Sequence, residues 1–234
     1  DTMCTDTHHV TIDMVKEGIL HLKKGKHDGF FGHFSDHLSN ASERLAIYLS
    51  VLFTGMISHG YTPNGMHVST IIPIPKNARK SLNDSDNYRG IALASVIGKM
   101  LDWIIIHENY LELSSSDLQF AYKEKSSTSQ CSFVVDEVIH YYMTNHSNVH
   151  CILLDATKAF DRVNYIKLFK ELINRRLCPV VCRFLALQYT MQKCRVKWCN
   201  SISDTFQATN GVKQGGVLFH LYCSLYIWIA YYNN

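Results

Sequence analysis

Residues 149–163 read VHCILLDATKAFDRV. The opening VHCILL is a short apolar run of the kind that forms a buried central strand, and it ends on Asp155. Burying an unpaired carboxylate is costly, so Asp155 at the rigid end of such a strand needs a cation. The spacing leaves open a divalent-cation ligand or a structural ion cluster with Lys158 and Asp161, and on its own it favours the cluster.

The segments on both sides of this stretch predict further helices and strands. Asn164 is placed to cap a helix over YIKLFKELINRR, whose apolar face would be formed by Ile166, Phe169, Leu172 and Ile173. VSTIIPI predicts a strand over 68–74, and IALASVIGKMLDWIII continues from it into a helix. The other predicted elements are helices over 11–24, 41–58 and 129–143 and hairpin strands over 195–198 and 205–208. The fold class is therefore α+β, a mixed α/β chain.

Composition excludes several classes of protein. The 234 residues are 47% hydrophobic and 18% charged, which allows a hydrophobic core and excludes wholesale disorder. With 12 Gly and 4 Pro the chain is not collagen-like. The N-terminus carries no signal-peptide pattern, and the longest apolar run, 217–232, is broken by His220 and Ser224. These features predict an intracellular chain without a membrane span. The uncapped apolar end suggests a chain cut inside a domain.

The eight cysteines do not form the pattern of a disulfide framework. Cys178, Cys182, Cys194 and Cys199 are the one group to test as a metal site, with gaps of three, eleven and four residues. Those gaps are looser than the usual zinc knuckles, and Cys178 and Cys182 bracket a predicted helix. Small buried hydrophobic positions are favoured over zinc.

Charge is unevenly distributed along the chain. The formal net charge is +3, yet residues 162–197 carry nine basic residues against one acidic residue. A local field of this size suits a polyanion, because each phosphate contact releases counterions. A solvated helix face would give the same pattern, and composition alone leaves both interpretations open.

Five segments, in this order, carry a family resemblance: STIIPIPK (69–76), NYRGIALASVIGK (87–99), LQFAYKEKSST (118–128), ILLDATKAFDRV (152–163) and GVKQGGVL (211–218). Together they resemble the reverse transcriptases of non-LTR (LINE-type) retrotransposons over roughly residues 10–230. LKKGKHDG, with Gly25, Lys26 and Gly29, and the later YTPNGMHVS look like that family's N-terminal extension. The resemblance implies a right-hand polymerase fold with fingers and an incomplete palm. It divides the chain into an extension with the start of the fingers (1–67), fingers (68–148) and a C-terminally truncated palm (149–234).

The resemblance also implies a metal site. Asp155 matches the first metal-binding aspartate of the family's palm, and the backbone carbonyl of Ala156 would be a further ligand. In the intact polymerase, two Mg²⁺ ions would activate the primer 3′-oxygen and stabilise the leaving pyrophosphate.

Other matched positions imply nucleotide binding. Arg89 resembles the fingers arginine that binds the incoming triphosphate, and Lys76 is either a second cation there or a solvated strand-end lysine. Phe160 falls where the family carries an aromatic steric gate that rejects a 2′-hydroxyl. Gln214 and Gly215 match the motif that packs near the nascent base pair.

The resemblance implies an RNA template, a DNA primer and deoxynucleoside triphosphates as partners. The basic segment then becomes a candidate track for the template–primer backbone, which needs no base-specific contact. The track comprises Arg162, Lys167, Arg175, Arg176, Lys193, Arg195 and Lys197.

The sequence also departs from the family. The family's Tyr/Phe-x-Asp-Asp hairpin, which supplies the other metal carboxylates, does not occur in the 234 residues, and no two aspartates are adjacent. Phe219 and His220 stand where the family usually has Ser and Pro, which suggests a decaying copy. We therefore expect this chain alone to lack polymerase activity. The alternatives are a catalytically dead nucleic-acid-binding remnant and a non-functional degenerate copy.

Overall fold

A computed structural model describes residues 8–29, 32–115, 118–121, 123, 125–155, 161, 163–212 and 215–218. The helices are α1 (Ile12–Leu20), α2 (Ser35–Ser39), α3 (Glu43–His59), α4 (Asn64–His67), α5 (Val96–Glu108), α6 (Tyr110–Leu113), α7 (Thr128–Thr144), α8 (Tyr165–Asn174) and α9 (Pro179–Thr190). The strands are β1 (Val68–Pro75), β2 (Tyr88–Leu93), β3 (Lys193–Trp198), β4 (Ser201–Ile202) and β5 (Phe206–Gln207). The predicted mixed α/β class is confirmed.

The strands form one mixed sheet in the order β2-β1-β3-β4, with β5 also paired to β3. β1 and β2 run antiparallel, with Ile74 opposite Arg89, whereas β1 and β3 run parallel, with Val68 beside Lys193. The N-terminal half of β1 is buried and its C-terminal end is exposed. The sheet thus joins residues 68–93 to residues 193–207, and the exposed end of β1 lies at the surface beside β2.

The hydrophobic core lies among helices α1, α3, α5, α8 and α9. Phe53, Ile104, Leu172 and Phe184 are fully buried in one cluster that takes residues from both halves of the chain. Gly18 allows the close approach of α1 to α5, because a Cβ there would lie 2.9 Å from Met100 Cγ. The described core takes residues from all three predicted segments, and the division at residues 67 and 148 stays a prediction.

Several elements form where local sequence predicts them. The helices predicted over 11–24, 41–58 and 129–143 correspond to α1, α3 and α7, and the strand predicted over 68–74 corresponds to β1. Asn164 caps α8 as predicted, its side chain accepting a hydrogen bond from the Lys167 backbone at 3.1 Å. The predicted hairpin also forms, through antiparallel pairing of β3 with β4 and β5.

The prediction of a buried strand over 149–154 is wrong. Residues 149–155 have no regular secondary structure, and Ile152, Leu153 and Leu154 are 85%, 96% and 71% exposed. A strand needs a neighbour that pairs with its backbone groups. In the sheet of the described residues, β1 already has neighbours on both sides, and the strands pair only with one another. The apolar run therefore lies against solvent.

The apolar face predicted for α8 is also wrong in part. Leu168, Glu171 and Leu172 are buried, whereas Ile166 and Ile173 are 80% and 62% exposed. The buried face turns toward positions 165, 168 and 172 because the ring of Tyr165 packs against Tyr189 of α9, with ring centroids 5.8 Å apart. Glu171 tolerates burial because its Oε1 accepts from Arg175 Nε at 3.0 Å.

Three of the four grouped cysteines lie partly or fully inside the protein. Cys182 and Cys194 are buried, and Cys178 is half-buried. Burial, with Cys178 nearby, raises the pKa of the Cys182 thiol to about 11, as expected of a small core residue.

Within the described ranges, no helix is both long and apolar enough to cross a membrane.

Candidate functional site

Arg89 and Lys76 lie at the same exposed end of the β1–β2 pair. Arg89 is directly opposite Ile74, and the ladder continues one step past β1, where the Lys76 backbone N–H donates to the Asn87 carbonyl at 2.7 Å. Directly opposed residues of an antiparallel pair project to one face, as do positions two apart on a strand. Arg89 and Ile74 therefore share one face, and Lys76 lies one residue beyond β1 at the same exposed end of the pair.

A buried asparagine organises the loop between these two cations. Asn87 is 4% exposed, and its Nδ2 donates to the carbonyls of Asn77 and Ser81 at 3.0 and 3.1 Å. Its Oδ1 accepts from the Asn77 backbone at 3.2 Å. No sequence pattern points to this role, although Asn87 opens the NYRG motif, two residues before Arg89. Asn87 fixes the loop that separates Lys76 from Arg89.

Asp155 lies at the end of the unpaired apolar run and is exposed. In the described part of the chain, no three His, Cys, Asp or Glu side chains come together in a way that could hold a metal ion. The predicted positions Ala156, Phe160, Arg162 and Gln214 lie outside the described residues. Asp155 on its own thus offers one carboxylate and does not make a complete metal site.

Gly215 packs its backbone against β2. Its φ is +104°, and a Cβ there would lie 2.9 Å from the backbone oxygen of Ala92. Any other residue at this position would be strained and would clash with the strand. Because Ala92 and Arg89 belong to the same strand, the structure brings Gly215 to the strand that carries the predicted triphosphate ligand.

Tyr165 and Gln192 hold the segment that leads to Gly215. The Tyr165 hydroxyl donates to the Gly211 carbonyl at 2.8 Å and accepts from Gln192 Nε2. The Gly211 N–H donates to the Val163 carbonyl at 3.1 Å. Burial raises the pKa of Tyr165 to about 12, against a smaller opposing effect of the Gln192 hydrogen bond. No sequence motif pointed to this network, because its members are far apart in the chain.

We expect Tyr165→Phe to destabilise the protein by about 1–3 kcal/mol, because the Gly211 carbonyl and Gln192 amide lose their partner inside the protein. Denaturant unfolding followed by circular dichroism measures the change. Tyr48→Phe is the control, since Tyr48 is 70% exposed. Equal losses in the two variants would contradict the role of the network.

Two members of the predicted basic track are engaged inside the protein. Arg175 bonds to Glu171 and donates from Nη1 to the Ser114 carbonyl at 2.8 Å. Arg195 donates from Nη2 to the Gly29 carbonyl at 2.7 Å and from Nε to Thr70 Oγ1 at 3.1 Å. Both arginines are only partly exposed. The guanidinium groups of Arg175 and Arg195 therefore bind other parts of the protein in this structure.

The other described members of the track are open to solvent. The side chains in question are Lys167, Arg176, Lys193 and Lys197, all exposed. Within the described ranges, none of these four forms an ion pair. Lys193 and Lys197 are four positions apart on β3 and so project to one face of the sheet. These four side chains are the ones available to a polyanion.

Gly29 holds the segment 21–29 against β1 and β3. Gly29 packs so closely that a Cβ would lie 2.5 Å from Thr70 Cβ, and its carbonyl accepts from both Thr70 and Arg195. Gly29 is one of the residues matched to the family's N-terminal extension. The close contact gives a physical reason for glycine at this position.

Comparison with known proteins matches residues 74–228 to the family described as reverse transcriptase (RNA-dependent DNA polymerase). A relative from Drosophila funebris, the RNA-directed DNA polymerase from mobile element jockey, is 29% identical over 227 residues, covering 89% of this chain and 23% of the relative. The protein of the same name from Drosophila melanogaster is 28% identical over 188 residues, covering 75% of this chain and 20% of the relative. The chain thus spans less than a quarter of the length of these relatives.

Proposed function

This chain belongs to the reverse transcriptase (RNA-dependent DNA polymerase) family, and from that membership we propose that it forms the fingers and the first part of the palm of a non-LTR retrotransposon polymerase. The substrates would be an RNA template, a DNA primer and deoxynucleoside triphosphates. The observation that carries the proposal is the position of Arg89 and Lys76 at the same exposed end of the β1–β2 pair, because two neighbouring cations suit a triphosphate.

In this proposal Arg89 binds phosphate oxygens through its planar guanidinium, which can make two parallel hydrogen bonds. Lys76 adds a point charge, and its Nζ is already oriented by donation to the Asp86 carbonyl at 2.9 Å. Gly215 would bring the Gln214 motif next to the nascent base pair, and Phe160 would exclude ribonucleotides. Binding and orientation of the nucleotide are thus the roles of these residues.

For the metal, we propose that Asp155 supplies one carboxylate ligand to Mg²⁺. Mg²⁺ is commonly held by one or two carboxylates together with substrate phosphates and water. No two aspartates are adjacent in these 234 residues, and within the described residues no group of carboxylates completes the site. We therefore expect no primer extension by this chain alone.

Nucleotide binding tests the proposal directly. We expect Arg89→Ala to weaken the binding of a deoxynucleoside triphosphate by about 10–100-fold, because hydrogen bonds to a charged partner are lost. Isothermal titration calorimetry measures the affinity. Arg79→Ala is the matched control, since Arg79 is an exposed arginine of the neighbouring loop. The proposal fails if the Arg89 and Arg79 variants bind the nucleotide equally well.

A nucleic-acid-binding protein without catalysis is the second candidate, favoured by the absence of adjacent aspartates. Mg²⁺-dependent nucleotide binding by the Asp155→Asn variant distinguishes the two, because the polymerase candidate makes Asp155 a metal ligand and so expects weaker binding. Under the second candidate, Asp155→Asn leaves binding of template–primer and nucleotide unchanged. Extension by the unaltered chain that disappears in Asp155→Asn would instead show that the chain is catalytic.

A further inference from the structure

A small cavity of about 30 Å³ lies between α5, α9 and the segment that contains Gly216. The side chains that line it include those of Asp102, Gln188 and Gln192. We propose that this cavity binds one monovalent metal cation, Na⁺ or K⁺, through the oxygens of these three side chains. The site is separate from the proposed nucleotide site, since Arg89 does not line the cavity.

Two amide oxygens at this cavity need a partner. The Oε1 atoms of Gln188 and Gln192 are buried, and within the described residues neither accepts a hydrogen bond. Gln192 as a whole is 1% exposed, so bulk water does not solvate it. A carbonyl oxygen that loses water and gains no partner is destabilising. The two oxygens therefore indicate a bound group that the described part of the chain does not supply.

Tyr165 fixes the orientation of the Gln192 amide. The Tyr165 hydroxyl donates its only proton to the Gly211 carbonyl at 2.8 Å. It must therefore accept a hydrogen bond from Gln192, and the atom that donates it is Nε2. The other end of the amide, Oε1, is then an acceptor by necessity. A group bound at this oxygen has to carry a positive charge or a hydrogen-bond donor.

The charge around the cavity favours a cation. The Asp102 carboxylate lines it, and among the described lining residues there is no lysine or arginine. Lys99, one turn earlier on α5, lines a different cavity; burial lowers its pKa and the Asp102 carboxylate raises it. Carboxylate and amide oxygens are the ligands of hard metal cations. A cation can contact all three side-chain oxygens at once, whereas a water molecule donates only two hydrogen bonds.

The size of the cavity and its single carboxylate limit which cation fits. A molecule of liquid water occupies about 30 Å³, so the cavity has room for an ion but not for its hydration shell. Mg²⁺ gives up its water reluctantly, and Ca²⁺ takes about six to eight oxygen ligands. Na⁺ and K⁺ carry one charge, which the one carboxylate balances. A monovalent cation therefore fits this site better than a divalent one.

A cation at this site connects three parts of the protein. Asp102 belongs to α5, Gln188 belongs to α9, and Gln192 is linked through Tyr165 to Gly211. Gly216 lines the same cavity. A ligand that binds only the folded state raises the stability of that state. The bound cation therefore stabilises the packing of α5 against α9 and the segment 211–216.

Thermal unfolding of the 234-residue chain in different chloride salts tests the site. Circular dichroism follows the transition in NaCl, KCl and tetramethylammonium chloride at one concentration, so that charge screening is the same. We expect a melting temperature about 2–4 °C higher in NaCl or KCl than in tetramethylammonium chloride, whose cation is too large for the cavity. The salt that gives the larger increase identifies the ion.

Substitutions assign the effect to this cavity. Gln188→Met removes the amide oxygen at nearly constant volume, and Asp102→Asn removes the charge at nearly constant shape, so each should lose most of the difference between the salts. Asp102→Asn keeps the inference testable where Gln188→Met fails to fold. Gln207→Met is the matched control and should keep the difference, because Gln207 is an exposed glutamine of β5 that does not line the cavity. The inference is overturned if the three salts give one melting temperature, or if either cavity variant keeps the full difference.

Discussion

Raising the salt concentration from 50 to 200 mM should weaken the binding of a nucleic-acid duplex to this chain by about 150-fold. Each neutralised phosphate contributes about −0.9 to the slope of log K against log salt. Four track side chains, Lys167, Arg176, Lys193 and Lys197, are exposed without an ion pair among the described residues. Four contacts predict a slope of about −3.6. Fluorescence anisotropy with a labelled template–primer measures it.

The size of the slope distinguishes phosphate contacts by the four exposed side chains from contacts by all seven residues of the predicted track. If all seven residues of the predicted track contacted phosphates, the same change of salt would cost about 6,000-fold. Lys193→Gln and Lys197→Gln should each reduce the slope by about 0.9. Lys16→Gln serves as the control, because Lys16 is paired with Glu43 at 3.1 Å on a different element. A slope near zero would remove the basic segment from the proposed interface.

Leu168→Ala should destabilise the protein by about 2–5 kcal/mol, because Leu168 is fully buried in the core and its truncation leaves a cavity. Ile166→Ala on the same helix should change stability by less than about 0.5 kcal/mol, since Ile166 is 80% exposed. Chemical denaturation of both variants measures the difference. Equal losses, or a larger loss in Ile166→Ala, would contradict the observed orientation of α8.

Features that depend on neighbours in the chain were predictable from the sequence. The Asn164 cap satisfies a backbone N–H three residues later, so the pattern alone identifies it. The helix periodicity of 43–59 and the β-branched run of 68–75 likewise decide their own secondary structure. The order of the five matched segments identified the family, which the comparison confirms.

Features that depend on distant partners were not predictable in this way. The run 149–154 is apolar, yet whether it becomes a strand is decided by a partner strand. Which face of α8 is buried depends on the ring contact between Tyr165 and Tyr189 and on the Glu171–Arg175 ion pair. Hydrophobic spacing alone does not show these contacts. Arg195 has the charge of a phosphate ligand, but Gly29 and Thr70, more than 100 residues away, occupy its guanidinium.

The same distinction between neighbours in the chain and distant partners applies to the residues of the candidate site. Arg89 and Lys76 were predicted individually, and the β1–β2 pairing brings their backbones to the same end of the sheet. Asn87, Tyr165 and Gln192 were missed because their importance comes from buried hydrogen bonds rather than from residue type. The roles assigned to Asp155 and Gly215 rest on the family motif, to which the structure adds exposure and a close backbone contact.

The parallel pairing of β1 with β3 has a consequence for how the protein folds. β2 follows β1 closely, so this antiparallel pair closes a short loop, whereas Val68 meets Lys193 only after a connection of more than 100 residues. Closing a longer loop costs more entropy, and non-local pairing slows folding. During synthesis on the ribosome, β1 and β2 emerge and pair early, whereas the other edge of β1 stays unpaired until β3 has been made. A nascent chain would be open to mispairing with another strand at this unpaired edge of β1.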